Sequence, residues 1–163
     1  MNEQLGQIEK LTSQAVQEVF ESMVSMQMSC EAPLAPGGDP GGQIIGAVGF
    51  IGEANGVICL GAGLGFVKVI TSRMLGIPES EVNEEDMVND AIGELSNMVA
   101  GYVKSHLFDG GRRCTLTIPS IVRGQGLSVA SPSNVERAIL GFQNGDHHMV
   151  AEILLKSPKE GNI

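Results

Sequence analysis

Cations are scarce in this chain. Lys and Arg together number 10 against 19 Asp and Glu, for a formal net charge of −9 with the histidines neutral. Those few cations are scattered, so the clustered basic footprint that nucleic-acid backbones require is missing. An anionic membrane surface would repel the chain for the same reason. Cysteine is rarer still. Cys30, Cys59 and Cys114 are odd in number, far apart and outside any C-x-x-C or Cys/His spacing. This favours reduced thiols in a reducing, cytoplasmic compartment over a disulfide framework. No apolar stretch approaches the length of a bilayer span. The start, Met-Asn-Glu-Gln-Leu-Gly, also lacks the basic and apolar regions of a signal peptide.

What is present fits a small globular unit. A length of 163 residues, 42% of them hydrophobic, predicts one domain over 1–163 with a core of useful size. Leu5, Ile8, Thr12, Ala15, Val16, Val19, Phe20, Met23 and Met26 recur at helical spacing and predict a first helix over 3–27. Pro33 to Gly42 is a loop, since seven of its ten residues are Pro or Gly. Gln43–Gly52 and Val57–Leu60 are β-branched runs around Asn55-Gly56, a hairpin signal. A second helix over Gly65–Leu75 should stop at Gly76, with Pro78 just beyond. Strands are expected near 114–123, 127–130, 134–142 and 147–156, with Asn144-Gly145 turning the last pair. The order predicts an α/β sandwich of the α+β kind: an antiparallel sheet packed with one long helix and two further helices.

That long helix, Glu85 to Lys104 and onward to Gly110-Gly111, carries the most informative pattern. Asn83 can cap it, and Glu84, Glu85 and Asp86 fill a first turn where the helix dipole favours negative charge. Asp90, Glu94, Asn97 and Gly101 stand at i, i+4, i+7 and i+11. At about 100° per residue they fall within roughly 60° of one another. Val88, Ala91, Leu95, Met98, Val99 and Tyr102 form a broad apolar face turned away from them. Asp and Asn on the wet face of an amphipathic helix are ordinary, but Gly93 and Gly101 beside the stripe are not. Each costs up to about 1 kcal/mol relative to Ala in a helix interior. Bare backbone there admits a close partner, or in the case of Gly93 relieves a clash with the sheet.

The pattern Asp90-x3-Glu94-x2-Asn97-x3-Gly101, set in an apolar helix, resembles the signature of the CheX/CheC/FliY phosphatases. These hydrolyse the aspartyl phosphate of a chemotaxis response regulator. CheC-type chains usually carry the motif twice. One copy and no FliN-like extension make CheX the closer likeness, and the order of elements matches that family's fold across nearly the whole chain. The resemblance implies that Glu94 and Asn97 are the catalytic pair, with Asp90, Gly93 and Gly101 at the partner interface. It implies a phosphorylated CheY-like receiver as substrate, whose lysine pairs with Glu94. The divalent metal, Mg, would be supplied by the receiver, so the chain needs no metal site or cofactor of its own. An amide suits the water-orienting role implied for Asn97: its oxygen accepts from the water while its NH2 donates to phosphoryl or carboxylate oxygens. Two other readings use the same helix or fold. A non-catalytic adaptor would bind receivers through this face without hydrolysis, and loss of Glu94 or Asn97 would have favoured it. A flagellar-switch component should carry an additional FliN- or FliM-like segment.

Other site-like features carry less. Gly61-Ala62-Gly63-Leu64-Gly65-Phe66 sits at a strand-to-helix turn, but Phe66 stands where a dinucleotide fingerprint needs its third glycine, and no P-loop lysine follows. His147 and His148 on a strand point to opposite faces and do not readily share a metal. His106 suits a helix C-terminus. Ser96 and Cys59 lack a base-and-orienter set for nucleophilic catalysis. Finally, CheX-type proteins pair through their sheets. The β-branched and aliphatic late strands, with Val129, Val135, Ile139, Leu140, Val150 and Ile153, suit a two-fold homodimer through sheet edges with both motif helices exposed.

Overall fold

A computed structural model describes residues 2–33, 41–107 and 113–156. Helix α1 (Glu3–Val19) begins where the Asn2 side chain accepts a hydrogen bond from the Gln4 N–H at 2.9 Å, which satisfies one of the free amides of the first turn. Leu5, Ile8, Ala15, Val16 and Val19 lie on its buried side. The helix widens into a π-turn over Phe20–Val24 and stops at Ser25, left-handed at φ 53°. The predicted extension to residue 27 fails for that reason. Met26 is buried as the spacing suggests, and Met28 with it, but both lie beyond the helix in chain without regular secondary structure. Strand β1 (Ser29–Glu31) follows, and three residues are too few to show a period in sequence.

Strands β2 (Gln43–Gly52) and β3 (Gly56–Gly63) make the predicted hairpin, with β3 running on past Leu60. Its turn is longer than a two-residue Asn-Gly turn. Asn55 Oδ1 accepts from the Gly52 N–H at 3.2 Å, and Gly56 already belongs to β3. Helix α2 (Leu64–Leu75) ends at Gly76, φ 67°, as expected. A 3-10 turn over Glu79–Glu81 leads into helix α3 (Glu85–Leu107). Glu84 rather than Asn83 therefore stands next to the first helical residue. Gly110-Gly111, expected to end the helix, lie outside the described residues.

The strand expected over 114–123 is two pieces, β4 (Cys114–Leu116) and β5 (Ser120–Gly124). Pro119 between them has no N–H for the ladder. Thr117 bridges the gap: its N–H donates to Gly49 O at 2.8 Å, and its hydroxyl accepts from the Gly49 N–H at 2.9 Å. No strand forms at 127–130. Gly126 turns the chain at φ 62°, and the Leu127 N–H donates to the Gln43 side chain at 3.2 Å instead of to a neighbouring strand. Strands β6 (Val135–Asn144) and β7 (His147–Lys156) close the chain's described part, turned at Gly145 with φ 57°.

All pairings are antiparallel, and the seven strands run in the order β1-β6-β7-β3-β2-β4, with β5 also along β2. Alternate residues point to one face: Ile44, Val48 and Phe50 of β2, Ile58 and Leu60 of β3, Ile153 and Leu155 of β7. All three helices pack on that face, and one core joins these strands to Phe20, Ile70, Ile92 and Leu95. The architecture is an α+β sandwich with an open antiparallel sheet. Helix α3 lies against β2, flanked by α1 and α2.

Candidate active site on helix α3

The rotation of α3 about its axis is set by what it buries. Val88, Ile92, Leu95, Val99 and Val103 are all buried, and each such side chain contributes about 1.5–3 kcal/mol. Turning the helix by one residue would expose several of them, so the opposite side is committed to solvent. Close approach to the sheet reinforces this. Ser96 is buried, and its hydroxyl donates to Ile92 O at 2.7 Å. It sits over Gly46 of β2, where any Cβ would collide with the Ser96 Oγ. Its proton is committed to that carbonyl and the hydroxyl is buried against the sheet, which suits packing and not attack on a substrate. At the helix N-terminal end, Arg123 of β5 donates to Asn89 Oδ1 at 2.8 Å and pairs with Glu85 at 3.2 Å.

On the committed outer side, Asp90, Glu94 and Asn97 are exposed, and none has a hydrogen-bond or ion-pair partner among the described residues. The stripe read from the spacing is therefore real in three dimensions, with Glu94 and Asn97 one turn apart. Asp90 and Glu94 are like charges at i, i+4, which repel by about 0.2–0.5 kcal/mol. Arg123, a cation that reaches the start of α3, is already held by Glu85 and Asn89. Gly101 is half-buried at the end of the stripe, and a Cβ there would meet nothing within 4 Å. Gly93 differs. It is buried, and a Cβ on it would lie 3.6 Å from Ile121 and 3.8 Å from Pro119. That glycine faces the β4–β5 segment and does not join the exposed stripe.

A shallow groove of about 600 Å³ runs between α1 and α3 beside the stripe, lined by Glu18, Val19, Glu21, Ser22, Met98, Gly101, Tyr102 and Ser105. Tyr102 donates to Glu18 Oε1 at 3.4 Å, and His106 stacks on the Tyr102 ring with centroids 4.0 Å apart. Burial first, and then the Glu18 carboxylate, raise the Tyr102 hydroxyl above the usual phenol range. Nothing in the one-dimensional pattern places α1 next to Gly101, so this groove was invisible in sequence.

The remaining candidates fall where their chemistry predicted. His147 stacks on Phe66 at 4.6 Å while His148 pairs with Glu31 at 2.7 Å, on opposite faces of β7. His106 Nδ1 lies 2.8 Å from Tyr102 O near the end of α3. Among the described residues no group of three or more His, Cys, Asp or Glu is placed to hold a metal ion, and no helix is long and apolar enough to cross a membrane.

The family model for chemotaxis phosphatase CheX matches residues 44–143, well over half of the chain and including the whole stripe. No protein of curated function matches significantly. Among solved structures, the chemotaxis protein CheX from Vibrio vulnificus superposes with a TM-score of 0.78 at 23% identity, covering 91% of this chain and 96% of that one. The CheX–CheY–BeF3–Mg2+ complex from Borrelia burgdorferi matches with a TM-score of 0.75 at 18% identity, over 91% of this chain and 97% of that one. FliY from Thermotoga maritima is more distant, with a TM-score of 0.62 at 16% identity and coverage of 93% and 87%. Family model, helix pattern and fold agree, and the chain belongs to the CheX family of chemotaxis phosphatases.

Proposed function

We propose that this protein hydrolyses the aspartyl phosphate of a CheY-like receiver domain, with Asn97 orienting the attacking water and Glu94 pairing with the receiver's lysine. The observation that carries this reading is the pair itself: two exposed polar side chains, unpartnered among the described residues, one turn apart on a helix whose rotation the core fixes. The family supports phosphatase activity. The Borrelia burgdorferi structure, a complex of CheX with CheY, beryllofluoride and Mg2+, supports a receiver as partner.

The chemistry asks for little beyond positioning. Water attacks phosphorus in line while the bond to the aspartyl oxygen breaks, giving inorganic phosphate, a free carboxylate and a proton released from the water. Asn97 accepts a hydrogen bond from that water through its amide oxygen and donates through its NH2 to an adjacent oxygen. Glu94 sets the register by meeting the receiver's lysine and relieves its own repulsion with Asp90 in doing so. The divalent cation at the phosphoaspartate belongs to the receiver and offsets charge on the phosphoryl oxygens.

Following phosphate loss from a phosphorylated receiver tests this directly. Asn97→Ala should bind the receiver much as wild type does while losing about 100-fold or more in rate, roughly 3 kcal/mol of transition-state positioning. Hydrolysis at the wild-type rate would remove Asn97 from catalysis. Receiver binding by the wild type with no phosphate loss would leave a non-catalytic adaptor.

A further inference from the structure

We infer that the groove between α1 and α3 is a docking site for a receiver surface with an apolar centre and basic flanks, and that Glu18 and Glu21 select it. This rests on the receiver reading above and extends it from the reacting pair to the choice of partner. The groove is continuous with the proposed site, because Gly101 is both the last member of the stripe and part of the groove lining, one turn beyond Asn97.

Several observations converge on a partner rather than a purely internal role. Gly101 lies inside a helix, where glycine is unfavourable, yet no neighbour within 4 Å requires the missing side chain. Gly93 has its own protein packed against it, whereas the bare backbone at Gly101 opens into the groove. Val19, Met98 and Tyr102 supply an apolar floor, and the rim carries Glu18 and Glu21 with no Lys or Arg in the lining. Glu21 is exposed and has no partner among the described residues. The groove is also preformed. The Tyr102–Glu18 hydrogen bond ties α1 to α3 at one side of it, and His106 of α3 stacks on the Tyr102 ring and holds it in place, so little ordering is required on binding. An apolar floor rimmed by two carboxylates that no cation of the lining neutralises, on a chain of net charge −9, is complementary to an apolar side chain flanked by Lys or Arg.

The test uses a CheY-like receiver loaded with beryllofluoride and Mg2+ for binding, and the phosphorylated receiver for turnover. Glu21→Lys puts like charge against the basic flank, and Gly101→Leu fills the groove. Each should weaken binding about tenfold or more, with the rate at saturating receiver changed much less, so that the loss appears in KM rather than kcat. Gly101→Ala, with open space for its methyl group, should raise the melting temperature of the free protein, which shows that the fold does not need this glycine. Glu3→Lys makes the same charge change on α1 about 27 Å from Glu21 by helix rise and should leave binding near wild type. If Glu21→Lys and Gly101→Leu both bind the receiver like wild type, the docking site is elsewhere, even where Asn97→Ala has confirmed the catalytic reading. Binding that these variants abolish on a protein without phosphatase activity would keep the docking site and sink the catalytic reading.

Discussion

In the proposed mechanism Glu94 and Asn97 divide one task between charge and geometry, and substitutions should separate the two. Asn97 carries no charge and should matter for rate alone. Glu94 should matter for both rate and association, because the proposed lysine contact would also place Asn97. Glu94→Lys brings like charge against that lysine and should raise the receiver dissociation constant and lower turnover, more severely than Glu94→Ala. Unchanged affinity and rate in the Lys variant would take Glu94 out of the interface. Both substitutions should fold normally, since the side chain is exposed and unpartnered among the described residues, and surface changes of this kind usually alter stability by less than about 0.5 kcal/mol.

At the scale of elements, the site depends on how closely α3 approaches β2. Ser96 is buried over Gly46 with its hydroxyl turned back to Ile92 O at 2.7 Å. A Cβ at position 46 would collide with Ser96 Oγ and crowd the Ile92 carbonyl at 3.2 Å. The helix would have to lift from the sheet that its apolar face needs. Gly46→Ala should therefore destabilise by about 1–3 kcal/mol, the usual cost of overpacking, and lower phosphatase activity even though residue 46 is remote from the receiver. Chemical denaturation read alongside turnover checks it. Ser96→Gly in the Gly46→Ala background should recover part of the loss, and wild-type stability for Gly46→Ala alone would contradict the close packing.

For the whole molecule, the layered fold fixes both the protected thiols and the free edges. Burial, with a smaller contribution from Glu152, pushes the Cys59 thiol up to about 11 from an ordinary value of 9.0. The fold thus favours the neutral thiol, and its contribution is complete below pH 9.0 and lost as the pH rises toward about 11. The stability advantage of wild type over Cys59→Ala should hold constant up to pH 9.0 and shrink between there and about 11, as read from denaturant midpoints. A difference independent of pH across this window would contradict the assignment. Cys30, by contrast, is exposed and should be the thiol labelled in the native protein. Assembly follows from the edges. Of the late strands whose aliphatic residues suggested pairing, β7 is interior, but β1 covers β6 only at Gly141, Phe142 and Gln143, so among the described residues the open edges are β1 with residues 135–140 of β6 on one side and β4–β5 on the other. Of these, β5 carries the more exposed aliphatic side chain, Val122 at 47% against 38% for Ile139 of β6. The proposed two-fold dimer should form there, so Val122→Lys should convert a dimer seen by light scattering into a monomer. A wild-type monomer at tens of micromolar would end the dimer proposal.

Sequence by itself determined what depends on local periodicity and local chemistry. The apolar face of α3 dictates which residues point out, so Asp90, Glu94 and Asn97 were legible as one stripe before any fold was known. Gly76 and Gly145 marked ends and turns because their left-handed backbone is chemically restricted. Tertiary structure decided what depends on neighbours distant in sequence. Whether a helix glycine faces its own protein or open space is set by what lies opposite, and so Gly93 meets Pro119 and Ile121 while Gly101 meets nothing within 4 Å. The break between β4 and β5, the failure of 127–130 to form a strand and the three-residue β1 arise from where amides find partners across the sheet. The groove beside Asn97 exists only because α1, some eighty residues earlier in the chain, packs against α3. Spacing along one helix carries no information about which other helix it will touch, because that choice is made by the summed burial of both apolar faces on one sheet.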